Sequence, residues 1–255
     1  DKHNEALSVL PKLFSEHDWC VSFTDPSWLN YSWVPDLSVF KQYNMRAKNI
    51  DDNGIYTQDF LKKDILRESY INNLYSQLWW AEKPDLNAFR CAMHAYLNLV
   101  DDTNGKTLLK NKNYLTVVDF SRWRSKNRFY VINLLSKKVE YTVPVWHGKG
   151  SWEGEVPVSF SNESWSLQSS LWAFKTPDEI VLASHKRWMG LRLDWLERIN
   201  NNASDRGIFI HYGEMKKSEW CFILPMDVKP MEIMEKLKGG SLIFAYHPKY
   251  VGRYK

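Results

Sequence analysis

The chain has 255 residues, of which 44% are hydrophobic and 25% charged, so it can bury a sizeable core and is not a disordered chain. Its formal net charge of +4 is a mild excess, and no run of Lys and Arg is long enough to predict a nucleic-acid-binding arm. No apolar stretch approaches the roughly 20 residues that a membrane-spanning helix needs. We therefore expect no nucleic-acid partner and no membrane span.

The first hundred residues have the patterns of helices. Residues 57–80 carry apolar side chains near helical spacing, with Thr57 as a plausible N-cap. After Pro84, residues 85–100 predict a second helix with Asp85 as its N-cap. The apolar face predicted for this second helix comprises Leu86, Phe89, Met93, Leu97 and Val100.

From Tyr114 onward the pattern changes to short strands that are rich in β-branched and aromatic residues and separated by polar turns. The predicted strands are YLTVVDF, RFYVINL, KVEYTVPVW, SSLWAF, LRLDWL, RGIFIHY and SLIFAY. One late helix, DVKPMEIMEKLKGG, is predicted with Asp227 as its cap, Met231, Met234 and Leu237 facing inward and Gly239 ending it. The fold class is therefore α+β, with a β-rich domain preceded by a helical region.

The three cysteines leave two interpretations open. In an oxidising compartment, a bridge between Cys20 and Cys91 would leave Cys221 as a free and reactive thiol. In a reducing compartment all three would be thiols. The sequence alone does not decide between them.

The stretch GIFIHYGEMKKSEWCFILP, residues 207–225, places His211 at the end of one apolar run and Cys221 at the start of another. A hairpin-like loop of that length would return the thiol close to the imidazole. Such a pair is either a nucleophile with its base or two ordinary core residues, because a cysteine attacks a carbonyl only as a thiolate. His147, in HGKGS, either lines a cleft or belongs to a structural turn. The histidines have no metal-ligand spacing, so we expect no catalytic metal and no cofactor.

Several segments occur in the order in which one known family has them. They are PDLNAFRCAMHAYLNLV, YLTVVDFSRWRSKNRFYVINL, HGKGS, FSNESWSLQSSLWAF, LRLDWLERINNNASDRGIFIHYGE, SEWCFILP and GGSLIFAYHPKY. On these segments, residues 85–250 resemble the catalytic domain of the murein L,D-transpeptidases (YkuD-type). The resemblance implies a β-rich catalytic domain in residues 81–255. It does not extend to residues 1–80, which we describe as a helical N-terminal region of unknown role.

The resemblance implies that Cys221 is the nucleophile and His211 the general base. The family cleaves the bond after the third residue of a peptidoglycan tetrapeptide stem and forms a thioester. An amine then gives a cross-link, and water gives a carboxypeptidase product. Ser218 matches the serine of the motif, and Lys217 stands where the family commonly has arginine, so Lys217 would meet a substrate carboxylate as a point charge. Backbone N–H groups around Cys221 would hold the oxyanion.

The same resemblance implies a place in the bacterial cell envelope, in the periplasm, with peptidoglycan peptide stems as the partner. The start of the chain, DKHNEALSVL, is not a secretion signal, and an exported mature protein would have lost one. The sequence carries no indication of the oligomeric state.

The active-site motif departs from the family pattern at several positions. Trp220 replaces the glycine before the nucleophile, Phe222 replaces a proline, and Tyr212 separates His211 from Gly213. If that glycine has positive φ, a tryptophan there would be strained. We expect Trp220 to form a wall for the substrate, and Tyr212, Gly213 and His147 to line the binding site. The alternative is a catalytically silent relative that binds peptidoglycan or a protein partner.

Overall fold

The computed structural model describes residues 58–79, 82–100, 108–152, 154–182, 188–213 and 218–251. The expectations that concern Cys20, Thr57 and Lys217 lie outside these ranges. The helices are α1 (Gln58–Gln77), α2 (Leu86–Val100) and α3 (Pro230–Leu237). In the part of the chain that the structure describes, no helix is long and apolar enough to cross a membrane.

The strands lie close to the predicted segments. They are β1 (Tyr114–Asp119), β2 (Phe129–Asn133), β3 (Lys138–Val143), β4 (Trp172–Lys175), β5 (Val181–Leu182), β6 (Met189–Arg192), β7 (Asp194–Trp195), β8 (Phe209–Tyr212), β9 (Phe222–Leu224) and β10 (Leu242–Tyr246). The predicted strand SSLWAF begins only at Trp172, and LRLDWL divides into parts of two strands, β6 and β7. The α+β fold class is confirmed.

A six-stranded sheet forms the centre of the domain, with the strand order β3-β2-β1-β10-β4-β7. β1 and β10 run parallel, with Leu115 opposite Leu242, and the other neighbours in this sheet are antiparallel. Both strands of the parallel pair are buried almost throughout, as expected for strands that are covered on both faces. Helix α2 packs against these two central strands.

A second sheet has the order β5-β6-β8-β9 and carries the candidate site. Its strands β8 and β9 are parallel, with Ile210 opposite Phe222 and His211 opposite Ile223. The expectation of a hairpin-like return between these two segments is therefore wrong. Two parallel strands need a connection that crosses back to the starting edge, and the local sequence pattern does not distinguish such a crossover from a hairpin.

Helix α2 begins as predicted but buries a different face. The Asp85 carboxylate accepts hydrogen bonds from the N–H groups of Asn87 (2.8 Å) and Ala88 (3.4 Å), so the predicted N-cap is confirmed. Leu86, however, is exposed, and Leu97 and Val100 are only half-buried. The buried face instead includes three alanines, Ala88, Ala92 and Ala95, because small residues let the helix backbone approach the sheet closely.

Helix α3 also differs from its prediction at its beginning. Asp227 lies in a preceding 3₁₀ turn, and the residue in the N-cap position is Lys229, which has a φ of 56°. Pro230 fixes the start of the helix because its missing N–H and restricted φ suit the first helical turn. Met231 is exposed, and Ile233 takes the inward position beside Met234 and Leu237.

Helix α1 is attached to the β-rich domain. Its residues Ile71 and Leu74, with Leu78 just after the helix, belong to the same buried cluster as the central sheet. Glu68 forms an ion pair with Arg90 of α2, with 2.7 Å between the charged atoms. The described part of the helical region thus shares its core with the domain, and the boundary at residues 80/81 stays a prediction.

We predict that Leu74→Ala lowers the free energy of unfolding by about 3 kcal/mol, because it removes buried methyl groups and leaves a cavity. Leu74 is 4% exposed, whereas Leu66 on the same helix is 60% exposed. The matched control Leu66→Ala should therefore change the free energy of unfolding by less than about 0.5 kcal/mol. Urea denaturation measures both, and equal effects would show that α1 is not packed on the domain.

Candidate active site

The thiol of Cys221 lies directly before β9 and is held by backbone groups of the segment that leads into β8. The N–H of Phe209 donates to Sγ at 3.4 Å, and the thiol donates to the carbonyl oxygen of Gly207 at 3.7 Å. The parallel register explains these partners, because Ile210 opposite Phe222 places Cys221 beside Phe209. Cys221 is a free cysteine, as predicted.

The surroundings of the thiol disfavour the thiolate. Burial raises the pKa of Cys221 to about 12, although the N–H of Phe209 and the positive charge of Arg206 act in the opposite direction. The residue as a whole is only half-buried, so the sulfur is the enclosed part of it. In this arrangement the thiol is predominantly protonated at neutral pH.

His211 lies on the same face of the sheet as Cys221, two positions further along the neighbouring strand. Two residues of strand rise and one strand spacing correspond to about 8 Å between their Cα atoms. The Nδ1–H of His211 donates to the carbonyl oxygen of Tyr212 at 3.0 Å, which leaves the lone pair of the neutral ring on Nε2. Neither of the two hydrogen-bond partners of the thiol is His211. The structure thus places Cys221 and His211 on one face of the sheet, but the two side chains are not hydrogen-bonded to each other.

Gly190 on β6 allows the backbone of β6 to lie close to His211 on β8. It pairs with His211, and a Cβ atom added to it would lie 2.9 Å from Cβ of His211 and 2.8 Å from the carbonyl oxygen of Ile210. Any side chain at position 190 would therefore displace His211 or its strand. Gly190 was not predicted as part of the site, because an isolated glycine in a strand gives no local signal of the segment that approaches it.

The segment that carries the nucleophile, residues 218–221, is fixed by hydrogen bonds from three directions. The Ser218 hydroxyl donates to the carbonyl oxygen of Cys221 at 2.7 Å, and the N–H of Lys149 donates to the carbonyl oxygen of Ser218 at 2.8 Å. The hydroxyl of Ser169, which is fully buried, donates to the carbonyl oxygen of Trp220 at 3.3 Å. Ser218 thus closes the turn that ends at Cys221, and Ser169 is a contributor that the sequence analysis missed.

Gly148 of the HGKGS segment packs directly against this turn. Its N–H donates to the Ser169 hydroxyl at 2.9 Å. An added Cβ atom would lie 2.6 Å from the carbonyl oxygens of Glu219 and Leu167 and 2.9 Å from Cα of Trp220. Only glycine fits here, because all three atoms belong to the backbone and cannot rotate away.

The condition for backbone strain at Trp220 is not met, because its φ is not positive. Its indole Nε1–H donates to the carbonyl oxygen of Gly207 at 3.3 Å, and the guanidinium of Arg206 lies 5.7 Å from the ring centroid. The ring therefore rests on the Arg206–Gly207 turn, whose Gly207 carbonyl is also the acceptor of the thiol.

His147 has the contacts of a structural residue. It is 2% exposed, its Nδ1 accepts from Arg128 at 2.8 Å, and its Nε2–H donates to the carbonyl oxygen of Trp152 at 2.8 Å. Burial and the charge of Arg128 lower the pKa of His147 to about 4, so the ring is neutral. Arg128 also donates twice to Val145. These contacts favour the second alternative for His147, in which the HGKGS segment is a structural turn.

Tyr212 and Gly213 lie beside a second tryptophan. The rings of Tyr212 and Trp188 meet edge to face, with 5.5 Å between their centroids, and an added Cβ atom on Gly213 would lie 3.3 Å from the Trp188 indole. Lys217 is outside the described ranges. The substrate-binding roles of Tyr212, Gly213, Lys217 and His147 stay predictions.

Cys91 is in a disulfide and Cys221 is a free cysteine, which is the pattern expected for an oxidising compartment. The predicted bridge between Cys91 and Cys20 involves a residue outside the described ranges. Among the residues that the structure describes, no three or more His, Cys, Asp or Glu side chains are grouped so that they could hold a metal ion.

The fold and this site define an α+β domain in which a cysteine and a histidine occupy one face of a parallel strand pair. Residues 81–246 match the family model YkuD_2, described as the L,D-transpeptidase catalytic domain, and the chain belongs to this family. Neither a curated protein nor a solved structure matches the chain.

We predict that Gly148→Ala lowers the free energy of unfolding by about 2 kcal/mol, because the new Cβ atom forces two backbone segments apart. Gly213→Ala is the matched control, since its new Cβ atom would meet only the side chain of Trp188 at 3.3 Å. Thermal denaturation of both variants measures the difference. Equal stability of the two variants would contradict the close packing at Gly148.

We also predict how alkylation of Cys221 depends on pH. Because burial raises the pKa of the thiol to about 12, the thiolate fraction, and with it the alkylation rate, should rise about tenfold per pH unit between about pH 7 and pH 10. A small neutral alkylating reagent and mass spectrometry measure this rate, with Cys221→Ser as the blank. A plateau near pH 8 would show a thiol with an ordinary or lowered pKa.

Proposed function

We propose that the chain is a cysteine-dependent enzyme of peptidoglycan stem peptides, an L,D-transpeptidase or L,D-carboxypeptidase that acts through a thioester. The observation that carries this proposal is the placement of Cys221 and His211 on one face of β8 and β9, inside the family domain. The substrate would be the tetrapeptide stem, and the place of action would be the bacterial cell envelope.

In the proposed acylation step, the sulfur of Cys221 attacks the carbonyl carbon of the third stem residue. The thiol proton passes to Nε2 of His211, which has the lone pair because Nδ1–H is engaged by Tyr212. The C–N bond to the terminal D-alanine then breaks, and its nitrogen takes the proton back from His211. The products of this step are a thioester on Cys221 and free D-alanine.

In the second step, an acceptor attacks the thioester carbonyl carbon while Nε2 of His211 takes its proton, and the C–S bond then breaks as His211 returns this proton to the sulfur. An amine of another stem gives a cross-link between two third residues, and water gives a tripeptide stem. Both steps pass through an oxyanion, for which backbone donors around Cys221 are suited. The N–H groups of Glu219, Trp220 and Cys221 donate to no acceptor among the described residues, which supports their use as such donors.

The proposed chemistry requires the thiol to leave its present partners. In the described arrangement the thiol donates to Gly207, which lies on the side away from His211 along the strand direction. A change of the Cys221 side-chain rotamer toward His211 would shorten the distance between sulfur and Nε2. Catalytic hydrogen bonds often tighten only in the complex with substrate, so the resting contacts are compatible with this proposal.

A second candidate function is a binding module without catalysis. The observation that favours it is the enclosed thiol, whose pKa is raised to about 12, beside an indole that covers the Arg206–Gly207 turn. Such a module would keep the cleft of the family and bind peptidoglycan stems without cleaving them.

The test is the product pattern after incubation with purified tetrapeptide muropeptides. We expect loss of D-alanine with dimers for a transpeptidase and loss of D-alanine alone for a carboxypeptidase. Cys221→Ala should abolish either product, and His211→Ala should reduce its rate by at least about 100-fold, since a positioned base contributes that much or more.

The same assay should include Trp220→Gly, which removes the indole beside the nucleophile. Products from either the unmodified chain or this variant, lost again on Cys221→Ala, support the enzyme. An absence of products from both, together with measurable binding of the stems, would contradict the enzyme and favour the module.

A further inference from the structure

Arg206 is a buried cation next to the candidate nucleophile. It is 6% exposed, and no carboxylate lies within ion-pair distance of it among the residues that the structure describes. Its Nη1 donates to the Ser161 carbonyl oxygen at 2.7 Å and to the Ser170 hydroxyl at 2.6 Å. Its Nη2 donates to the Gln168 carbonyl oxygen at 2.5 Å. The guanidinium thus fixes the segment 161–170, while Glu163 acts on its charge from beyond ion-pair distance.

The position of this charge relates it to Cys221. Arg206 directly precedes Gly207, whose carbonyl oxygen accepts both the thiol, at 3.7 Å, and the indole N–H of Trp220, at 3.3 Å. The Nε atom of Arg206 is buried and has no hydrogen-bond partner among the described residues. A buried charge without an opposite charge is costly, and a thiolate at Cys221 would supply that opposite charge.

We propose that Arg206 is a positioning residue whose charge stabilises the thiolate of Cys221 while its hydrogen bonds hold the segment 161–170 beside the nucleophile. The proposal concerns the site of the proposed function, but it can be tested without a substrate. Burial raises the pKa of Cys221 and Glu219 acts in the same direction, whereas the charge of Arg206 acts to lower it. Burial lowers the pKa of Arg206, whereas the negative charges of the Cys221 thiolate and of Glu163 act to raise it.

The test compares Arg206→Lys with Arg206→Met through the pH dependence of Cys221 alkylation. Both variants lose the planar fork that bridges the segment 161–170, and only Lys keeps the charge. We expect Arg206→Lys to be alkylated several-fold faster than Arg206→Met at the same pH, with the Met profile displaced to higher pH.

Superimposable profiles for the two variants would overturn the proposal and leave Arg206 with a purely structural role. If Arg206→Met does not fold, Arg206→Gln replaces it, because glutamine keeps polar donors and has no charge. Muropeptide turnover is not needed for this comparison, so a failure of the proposed function and a failure of this proposal give different results.

Several tryptophans have backbone angles that are unusual for a residue with a side chain. In the described part of the chain, six residues other than glycine have positive φ, namely Lys137, Trp152, Trp165, Leu167, Trp172 and Lys229. Three of these six are tryptophans, although the whole chain has only 13 tryptophans among 255 residues. A bulky residue with positive φ is an outlier, whereas glycine adopts such angles without steric cost.

Packing does not explain the conformations of Trp152 and Trp165, which are 58% and 85% exposed, whereas Trp172 is buried and its ring lies 5.5 Å from that of Phe244. Trp165 has a φ of 69° and is 85% exposed, so no buried contact holds it in place. Trp152 has a φ of 151° and a ψ of 143°, close to a region that is essentially restricted to glycine. Trp172 has a φ of 81° at the first position of β4. The backbone at each of these positions has the geometry of a glycine.

We propose that glycine is the residue this fold requires at positions 152, 165 and 172. We further propose that the protein made in its own cell carries glycine there, through a codon that its ribosomes decode as glycine and other ribosomes decode as tryptophan. The same codon at position 220 would remove the indole that lies over Arg206 and would place a glycine directly before Cys221. A single codon reassignment would thus remove the backbone strain at positions 152, 165 and 172 and the indole beside Cys221.

The direct test is peptide mass spectrometry of the protein purified from its natural cell. Each replacement of tryptophan by glycine lowers the mass of the peptide by the difference between an indolylmethyl group and a hydrogen atom. Glycine at positions 152, 165 and 172 supports the proposal, and tryptophan at these positions overturns it. The peptide with residue 220 shows in the same spectrum whether the active-site segment shares the replacement.

A second measurement tests the backbone requirement on the recombinant chain. Trp165→Gly should raise the melting temperature, because it relieves positive φ at an exposed position. The matched control is Trp123→Gly, since Trp123 is also exposed, at 58%, but has no positive φ, and this change should lower the melting temperature. If Trp165→Gly lowers the melting temperature as much as the control does, the backbone at position 165 does not require glycine.

Discussion

The parallel pairing of β8 with β9 is the constraint on which the site depends. Ile210, Phe222 and Leu224 on one face of this pair are fully buried, and Phe209 and Ile223 on the other face are 5% and 3% exposed. A shift of the register by one residue would move apolar side chains on both faces away from the neighbours against which they pack. Burial of apolar side chains therefore fixes the register, and the register places Cys221 beside Phe209 and His211 two positions further along. The relation between the two candidate catalytic residues is a consequence of core packing.

Close backbone contacts and buried cations complete the site around this pair. Gly148 lets the HGKGS segment approach the turn of residues 218–221, and Gly190 lets β6 approach His211. Arg128 and Arg206 are both buried and donate mainly to carbonyl oxygens, which tie neighbouring segments to one another. Charge-assisted hydrogen bonds of this kind are stronger than neutral ones, so each arginine holds its neighbouring segments firmly together.

The sequence predicted what depends on local pattern and missed what depends on tertiary contact. Strand positions, the Asp85 cap and the free thiol of Cys221 were predictable, because alternation, capping chemistry and cysteine count are local or compositional. The parallel direction of β9 was not, because an apolar segment after a polar loop has the same pattern in a hairpin and in a crossover. The exposure of Met231 and the close contacts of Gly148 depend on neighbouring segments that are distant in sequence.

The central claim is that Cys221, positioned beside β8, forms a covalent thioester with a peptidoglycan stem. The most direct measurement is the mass of the protein after brief incubation with a tetrapeptide stem and quenching in acid, for the unmodified chain and for the chain with glycine at positions 152, 165, 172 and 220. We expect a mass increase equal to the stem without its D-alanine, located on the peptide that contains Cys221 and lost in Cys221→Ala. A stem that stays intact, with no increase in either protein at any time, would contradict it.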